Sequence, residues 1–170
     1  MAMTVAAVNG LTPAAFTAAF RDVAERSPWV AERAAALRPY ASREAMIAAF
    51  AEVVAKAPEA QQLALIRGHP ELAGRAATAG EMAADSKREQ AGAGLDAHTP
   101  AEFRRFAELN ARYRDTFGFP FIFAVRGATK TQILEAFEAR IGNARAQEFA
   151  TALAEINRIV RFRIEERVLP

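Results

Sequence analysis

The chain contains no cysteine among its 170 residues, and this absence removes several classes of structure. A disulfide framework and thiolate metal sites both need cysteine sulfur, so the sequence excludes them. A chain without disulfides suits a reducing compartment, and we therefore expect a cytoplasmic protein.

Histidine is nearly as scarce, because only His69 and His98 occur. The two lie far apart in the sequence and form no His-x-x-x-His pair, so we expect no metal site. A Gly-x-Ser-x-Gly nucleophile motif is also missing, which leaves Ser-His-Asp catalysis without support. The run Gly92–Gly94 is too short for a phosphate-binding loop and follows a predicted helix.

Long apolar runs and an excess of charge are also lacking. No apolar stretch reaches the length that spans a bilayer, and the N-terminus lacks the basic region of a signal peptide. The formal net charge is only +2, which gives weak support for nucleic acid binding. We expect neither a membrane nor a nucleic acid partner.

The chain is instead 52% hydrophobic and rich in alanine, and its length suggests one domain over residues 1–170. Apolar residues recur at helical spacing, and helix-capping residues precede several of these stretches. The sequence predicts an all-α fold, a single compact bundle of about eight helices. Predicted caps are Thr12, Ser27, Ser42, Thr99 and Thr129; the last two begin capping boxes, with Glu102 and Gln132.

One run, Phe121–Val125, resembles a strand, but it is too short and isolated to imply a sheet. We interpret it as a buried extended segment, whose backbone groups then need hydrogen-bond partners. A small ligand could supply them in an apolar pocket. The alternative is a buried linker paired to neighbouring loops.

His69 follows a predicted helix, at a point where the sequence predicts a non-helical corner in the backbone. Pro70 disfavours helical backbone at His69, and Gly68 and Gly74 flank the stretch. Such a corner can present an imidazole to a ligand near neutral pH. The alternative is a helix end with an exposed or satisfied histidine. His98 falls in a polar turn, and we expect it at the surface.

Two further sets of polar residues could contribute chemistry. Ser86, Glu89 and Gln90 share one helix face and could present a hydroxyl, a carboxylate and an amide to one small polar ligand. A solvated polar face is the alternative. Arg163 ends an otherwise apolar helix stripe, so a buried guanidinium there would need an anionic partner. That partner could be a substrate carboxylate or a glutamate, or the arginine could extend to the rim.

Three motifs can be compared with known families as an ordered set. They are Gly68–Leu72, Ser86–Leu95 and Phe117–Ile122, with supporting matches at Ser27–Glu32 and Glu155–Ile159. In this order and spacing they resemble the 2-oxo-4-hydroxy-4-carboxy-5-ureidoimidazoline (OHCU) decarboxylases of urate breakdown. The resemblance covers nearly the whole chain and implies an all-α fold.

Carried over by position, the resemblance implies roles for individual residues. His69 matches the catalytic histidine and Glu89 its acidic partner. Arg163 matches the arginine near the C-terminus, although Arg158 and Arg161 lie close enough to leave that assignment open. The resemblance also implies substrate contacts at Pro70, Ser86, Gln90, Phe121, Ile122, Phe123, Ala124 and Val125.

The implied reaction is a cofactor-independent decarboxylation of a small ureidoimidazoline to (S)-allantoin, in a protein that is commonly a homodimer. The substrate carries its carboxylate next to a C=N bond, which can accept the electrons when CO₂ leaves, so no cofactor is expected. His69 would donate or shuttle a proton, and Glu89 would orient it or hold ureido N–H groups. The rival interpretation is a non-catalytic helical module on the same scaffold.

Overall fold

A computed structural model describes residues 1–74 and 83–170. Within these ranges the chain forms nine helices and no strand, which confirms the all-α prediction. The helices are α1 Val5–Asn9, α2 Pro13–Phe20, α3 Trp29–Ala35, α4 Arg43–Ala55, α5 Glu59–Arg67, α6 Ala84–Gly92, α7 Pro100–Phe117, α8 Lys130–Arg140 and α9 Arg145–Arg167.

The chain divides into two compact units, which are described separately. The first unit comprises Met1–Gly68 and Ile156–Pro170, and the second comprises His69–Glu155. The expectation of one domain over residues 1–170 stays a prediction. The sequence also predicts a loop from Gly74 to Gly80 and a helix from about Met82 to Ala91; the parts of both that fall on residues 75–82 lie outside the described residues.

Helix starts follow the predicted caps at four of five positions. The side chains of Thr12, Ser42, Thr99 and Thr129 each accept a hydrogen bond from the backbone N–H three residues later. Both capping boxes form, because Glu102 and Gln132 reach back to the backbone N–H of their caps. These bonds satisfy N–H groups that the first helical turn leaves unpaired.

The predictions need correction at the starts of α3 and α1. Ser27 does not cap α3, because the cap residue is Pro28 and no side-chain bond forms there. Helix α1 was not predicted, although Thr4 caps it by accepting from the N–H of Ala7 at 3.1 Å. At five residues, α1 is too short to show the apolar periodicity on which the prediction relied.

The core of the first unit is built around aromatic rings on α2 and α4. Phe16 and Phe20 lie 4.8 Å apart between ring centroids, and both pack against Phe50. Tyr40 joins the cluster and donates from its buried hydroxyl to the carbonyl of Ala34. Aromatic pairs at these separations stabilise a core beyond the apolar area that they bury.

Tyr113 on α7 lies at the centre of the second unit's core. Its ring contacts those of Phe117, Phe119, Phe121 and Phe137 at centroid distances of 4.5 to 6.1 Å. The helix that carries it ends at Gly118, whose φ of 78° is a left-handed conformation that glycine adopts without strain.

Among the described residues, no helix combines the length and the hydrophobicity that crossing a membrane requires.

Candidate active site

The His69 corner begins where α5 ends. Gly68 is the C-cap residue of that helix, and a Cβ added to it would lie 3.2 Å from the carbonyl oxygen of Glu25. A larger residue would press on that backbone, so the close approach favours glycine. His69 itself is only 6% exposed. The exposed-histidine alternative is therefore wrong.

The turn after Pro70 is held by the side-chain amide of Gln90. The backbone N–H of Ala73 donates to Gln90 Oε1 at 2.9 Å, and Gln90 Nε2 donates to the Glu71 carbonyl oxygen at 3.4 Å. Ala73 has a φ of 51°, a left-handed conformation that costs energy for a residue with a Cβ. Gln90 thus helps to stabilise a strained turn that directly follows His69 and Pro70.

Helix α7 supplies two more side chains to the same turn. Asn110 Nδ2 donates to the Leu72 carbonyl oxygen at 2.8 Å, and Arg114 forms an ion pair with Glu71. A cavity of about 610 Å³ lies beside this contact. Its lining comprises Glu71, Ala73, Gly74, Phe103, Ala107, Asn110, Ala111 and Arg114.

Burial along α6 follows the predicted face. Ser86 and Gln90 are buried and Glu89 is half-buried, whereas Lys87 and Arg88 are exposed. The alternative of a solvated polar face is therefore wrong for Ser86 and Gln90. These buried polar groups need hydrogen-bond partners, and Gln90 finds two of them in the turn after His69.

The predicted ligand-contacting segment Phe121–Val125 is buried and belongs to no helix or strand, as expected; only Phe123 is half-buried. Two side chains hydrogen-bond its backbone. Arg140 Nη1 donates to the Ile122 carbonyl oxygen at 2.6 Å, and the Ala124 N–H donates to Glu155 Oε2 at 2.8 Å.

The buried carboxylate of Glu148 holds Arg140 in place. Glu148 has no exposed surface and accepts from Arg140 Nε at 2.8 Å, from the Tyr113 hydroxyl at 2.6 Å and from Asn143 Nδ2 at 3.0 Å. Burial, and then the bond to Glu148, raises the pKa of the Tyr113 phenol above its usual value.

Arg163 lies in the first unit, and its side chain is 1% exposed. Its Nη1 donates to Glu25 Oε2 at 3.2 Å and to the Val23 carbonyl oxygen at 3.3 Å. The structure thus contains the buried glutamate pair that the sequence left as one alternative. A contact between Arg163 and substrate stays a prediction. Of its neighbours, Arg161 pairs with Glu44 and Arg158 is exposed.

The expectation of a surface position for His98 is only partly met. The ring is half-buried, bonds through Nε2 to the Leu95 carbonyl oxygen and packs against Phe106 at 5.6 Å between centroids. Hydrophilic neighbours in the sequence suggested exposure, whereas the tertiary contact with Phe106 provides burial.

The remaining predicted site residues fall in one unit. His69, Pro70, Ser86, Glu89, Gln90 and Phe121–Val125 all belong to the second unit. In the part of the chain that is described, no three histidine or carboxylate side chains gather as metal ligands would. The roles of these residues toward a substrate stay predictions.

Sequence reasoning missed four polar residues that support the site, namely Asn110, Arg140, Glu148 and Glu155. A signal existed for Asn110, which interrupts the apolar stripe of α7 between Phe106 and Tyr113. Glu155 begins one of the matching motifs. Arg140 and Glu148 gave no signal, because charged residues on a helix are usually exposed.

A family model described as OHCU decarboxylase matches residues 9–165. A protein of Halalkalicoccus jeotgali, named 2-oxo-4-hydroxy-4-carboxy-5-ureidoimidazoline decarboxylase, is 43% identical over 168 residues, covering 99% of this chain and 93% of the relative. The Bacillus subtilis uric acid degradation bifunctional protein PucL is 42% identical over 159 residues, covering 94% of this chain and 31% of that protein.

Two solved structures are similar as well. A crystal structure of (S)-allantoin synthase superposes with a TM-score of 0.76 at 30% identity, over 98% of this chain and 54% of that chain. A crystal structure of OHCU decarboxylase in the presence of (S)-allantoin has a TM-score of 0.70 over 87% of this chain and 96% of that chain. Its identity is 20%, so that similarity supports the fold alone.

Proposed function

Because the chain belongs to the OHCU decarboxylase family, we propose that it converts 2-oxo-4-hydroxy-4-carboxy-5-ureidoimidazoline to (S)-allantoin and CO₂ in urate degradation. It is a carboxy-lyase. The observation that carries this conclusion is the family match over residues 9–165, which includes the predicted site residues.

The substrate chemistry explains what the protein must supply. The carboxylate that leaves is attached to a carbon next to a C=N bond, which takes up the electron pair as CO₂ departs. The protein must therefore bind the ring and hold the carboxylate in place. After CO₂ has left, it must deliver a proton to one face of the ring. No step of this sequence requires an external electron sink.

His69 is the proton donor or shuttle in this proposal. Its burial supports the role, because proton transfer is efficient where water is excluded and the donor is held in one position. Gln90 and Asn110 fix the turn that follows His69 and Pro70, so the backbone next to the imidazole is well supported. Pro70 and Ser86 contact the substrate beside it.

Glu89 orients His69 or accepts from ureido N–H groups. The backbone of Phe121–Val125 binds the ring and ureide, and Arg163 holds an anionic or carbonyl oxygen. Gln90 contributes to binding while it also supports the turn at Ala73. Polar groups placed in an otherwise apolar pocket give such a small molecule its orientation.

The enzyme acts as a cytoplasmic homodimer in this proposal. The dimer rests on the family resemblance and on the general preference of soluble oligomers for two-fold symmetry. Light scattering over micromolar concentrations should give twice the mass of 18.4 kDa. A constant monomer mass would contradict the dimer without affecting the reaction.

Stereospecific turnover of freshly prepared substrate tests the function. Circular dichroism should show (S)-allantoin accumulating in proportion to the enzyme added, because a chiral site delivers the proton to one face. Racemic allantoin formed at the rate of the enzyme-free control would contradict the proposal and favour the non-catalytic helical module.

A further inference from the structure

We infer that Arg140 and Glu155 are positioning residues, which hold the backbone of Phe121–Val125 in the conformation that binds substrate. This inference rests on the proposed function, in which that backbone contacts the ring and ureide. Neither residue needs to touch the substrate. Both act through the main chain that does.

The segment depends on such support because it lies outside any helix or strand. Within residues 1–74 and 83–170, three of its backbone groups make hydrogen bonds. The Ile122 carbonyl accepts from Arg140, the Ala124 N–H donates to Glu155, and the Val125 carbonyl accepts from the Ala128 N–H. Side chains therefore make two of these three bonds.

The two anchors occupy the same edge of the segment. In the extended conformation that the sequence predicts, residues two apart direct their N–H and C=O groups to the same side. Arg140 and Glu155 therefore hydrogen-bond to the edge that carries the Ile122 carbonyl and the Ala124 N–H. The N–H and C=O of Phe123 would then lie on the opposite edge, where the proposed function has the backbone bind the ring and ureide.

Arg140 is itself held from several sides, which makes it a rigid anchor. Its Nε donates to the fully buried carboxylate of Glu148, and its guanidinium lies 4.4 Å from the ring centroid of Phe121. The Phe121 ring in turn stacks on Phe137 at 3.8 Å. Glu148 compensates the arginine charge, so Arg140 serves Ile122 as a fixed hydrogen-bond donor.

A pair of Glu155 variants separates the hydrogen bond from the charge. Glu155→Ala removes the acceptor for the Ala124 N–H, and we expect KM to rise at least about 10-fold with a smaller change in kcat. Binding of (S)-allantoin, measured by calorimetry, should weaken by a similar factor. Glu155→Gln keeps an oxygen acceptor, so KM should stay within about 3-fold of wild type.

A matched arginine pair tests the second anchor. Arg145 resembles Arg140 because it also donates to a backbone carbonyl, here from Nε to that of Phe117 at 3.1 Å, and its guanidinium lies 5.5 Å from the Phe119 ring. Its target lies outside the segment. Arg140→Lys should raise KM and weaken (S)-allantoin binding, whereas Arg145→Lys should leave both unchanged.

The wild-type assay separates this inference from the proposed function. A wild-type protein that produces no (S)-allantoin would contradict the function itself. With an active wild type, unchanged KM in Glu155→Ala would overturn the positioning role, as would equal losses in Glu155→Gln and Glu155→Ala. The Glu155 pair decides the question even where Arg140→Lys fails to fold.

Discussion

The side-chain amide of Asn110 donates to the carbonyl oxygen of Leu72 at 2.8 Å, joining α7 to the turn that follows His69 and Pro70. Both residues are buried. A buried carbonyl that loses its donor is costly, so the bond contributes to stability and fixes the turn. It connects the core of the second unit to the proposed catalytic corner.

Asn110→Ala should lower the free energy of unfolding by about 1–3 kcal/mol, because the buried Leu72 carbonyl loses its donor. Urea denaturation measures the change. The control is Gln147→Ala at an exposed position of α9, which should stay within about 0.5 kcal/mol of wild type. Equal stability of Asn110→Ala and wild type would show that the bond contributes nothing.

His69→Asn should lower kcat at least about 10²-fold, since positioned proton transfer typically contributes about 10² to 10⁴-fold in rate. Helical circular dichroism should not change, because Gly68 and Pro70 shape the corner. His98→Asn is the control and should keep normal kcat, although loss of its packing on Phe106 should reduce stability. Near-normal turnover of His69→Asn would contradict the assignment of the active site to the His69 corner.

Glu89→Gln distinguishes two roles for its carboxylate. If Glu89 orients His69, kcat should fall, and the double variant with His69→Asn should lose less free energy of activation than the two single losses combined. We expect this non-additive result from steady-state kinetics. Additive losses with a raised KM would instead assign Glu89 to the ureido group.

The buried pair of Arg163 and Glu25 can be separated from any substrate role. Arg163→Met should lower the free energy of unfolding by about 3–5 kcal/mol, because it removes the arginine partner of a buried carboxylate. Adding Glu25→Leu removes both charges and should restore most of the loss. We expect the stable double variant to show kcat/KM at least about 10-fold below wild type. Normal kcat/KM in that variant would make Arg163 purely structural.

The two tyrosines should make the protein less stable in alkali. Burial raises the pKa of Tyr40 to about 12, and burial followed by the Glu148 bond raises the pKa of Tyr113. Both phenols ionise near pH 10 in the unfolded chain, so their contribution is complete below about pH 10 and is lost as pH rises toward their folded pKa values.

Replacing both tyrosines by phenylalanine removes every phenol from the sequence. The fall in the free energy of unfolding between about pH 8 and about pH 11 should then be shallower than in wild type. Urea denaturation across this range provides the comparison. An identical slope in the double variant would assign the alkaline loss to other groups.

Local sequence was sufficient to predict the caps of four of the nine helices in the described residues, and the non-helical backbone of the His69 corner. The caps at Thr12, Ser42, Thr99 and Thr129 act on N–H groups three residues away, so local composition suffices to predict them. Pro70 likewise restricts the backbone of its neighbour directly. The ordered motifs identified the family because they carry residue identity and spacing together.

Tertiary contacts, by contrast, determine which buried polar groups lie together. Asn110 meets Leu72 across 38 positions, Glu155 meets Ala124 across 31, and Arg163 meets Glu25 across 138. The sequence offers 20 acidic residues as partners for one arginine, and nothing local distinguishes them. The choice is made by packing, because a buried charge or amide is stable only beside a group that satisfies it.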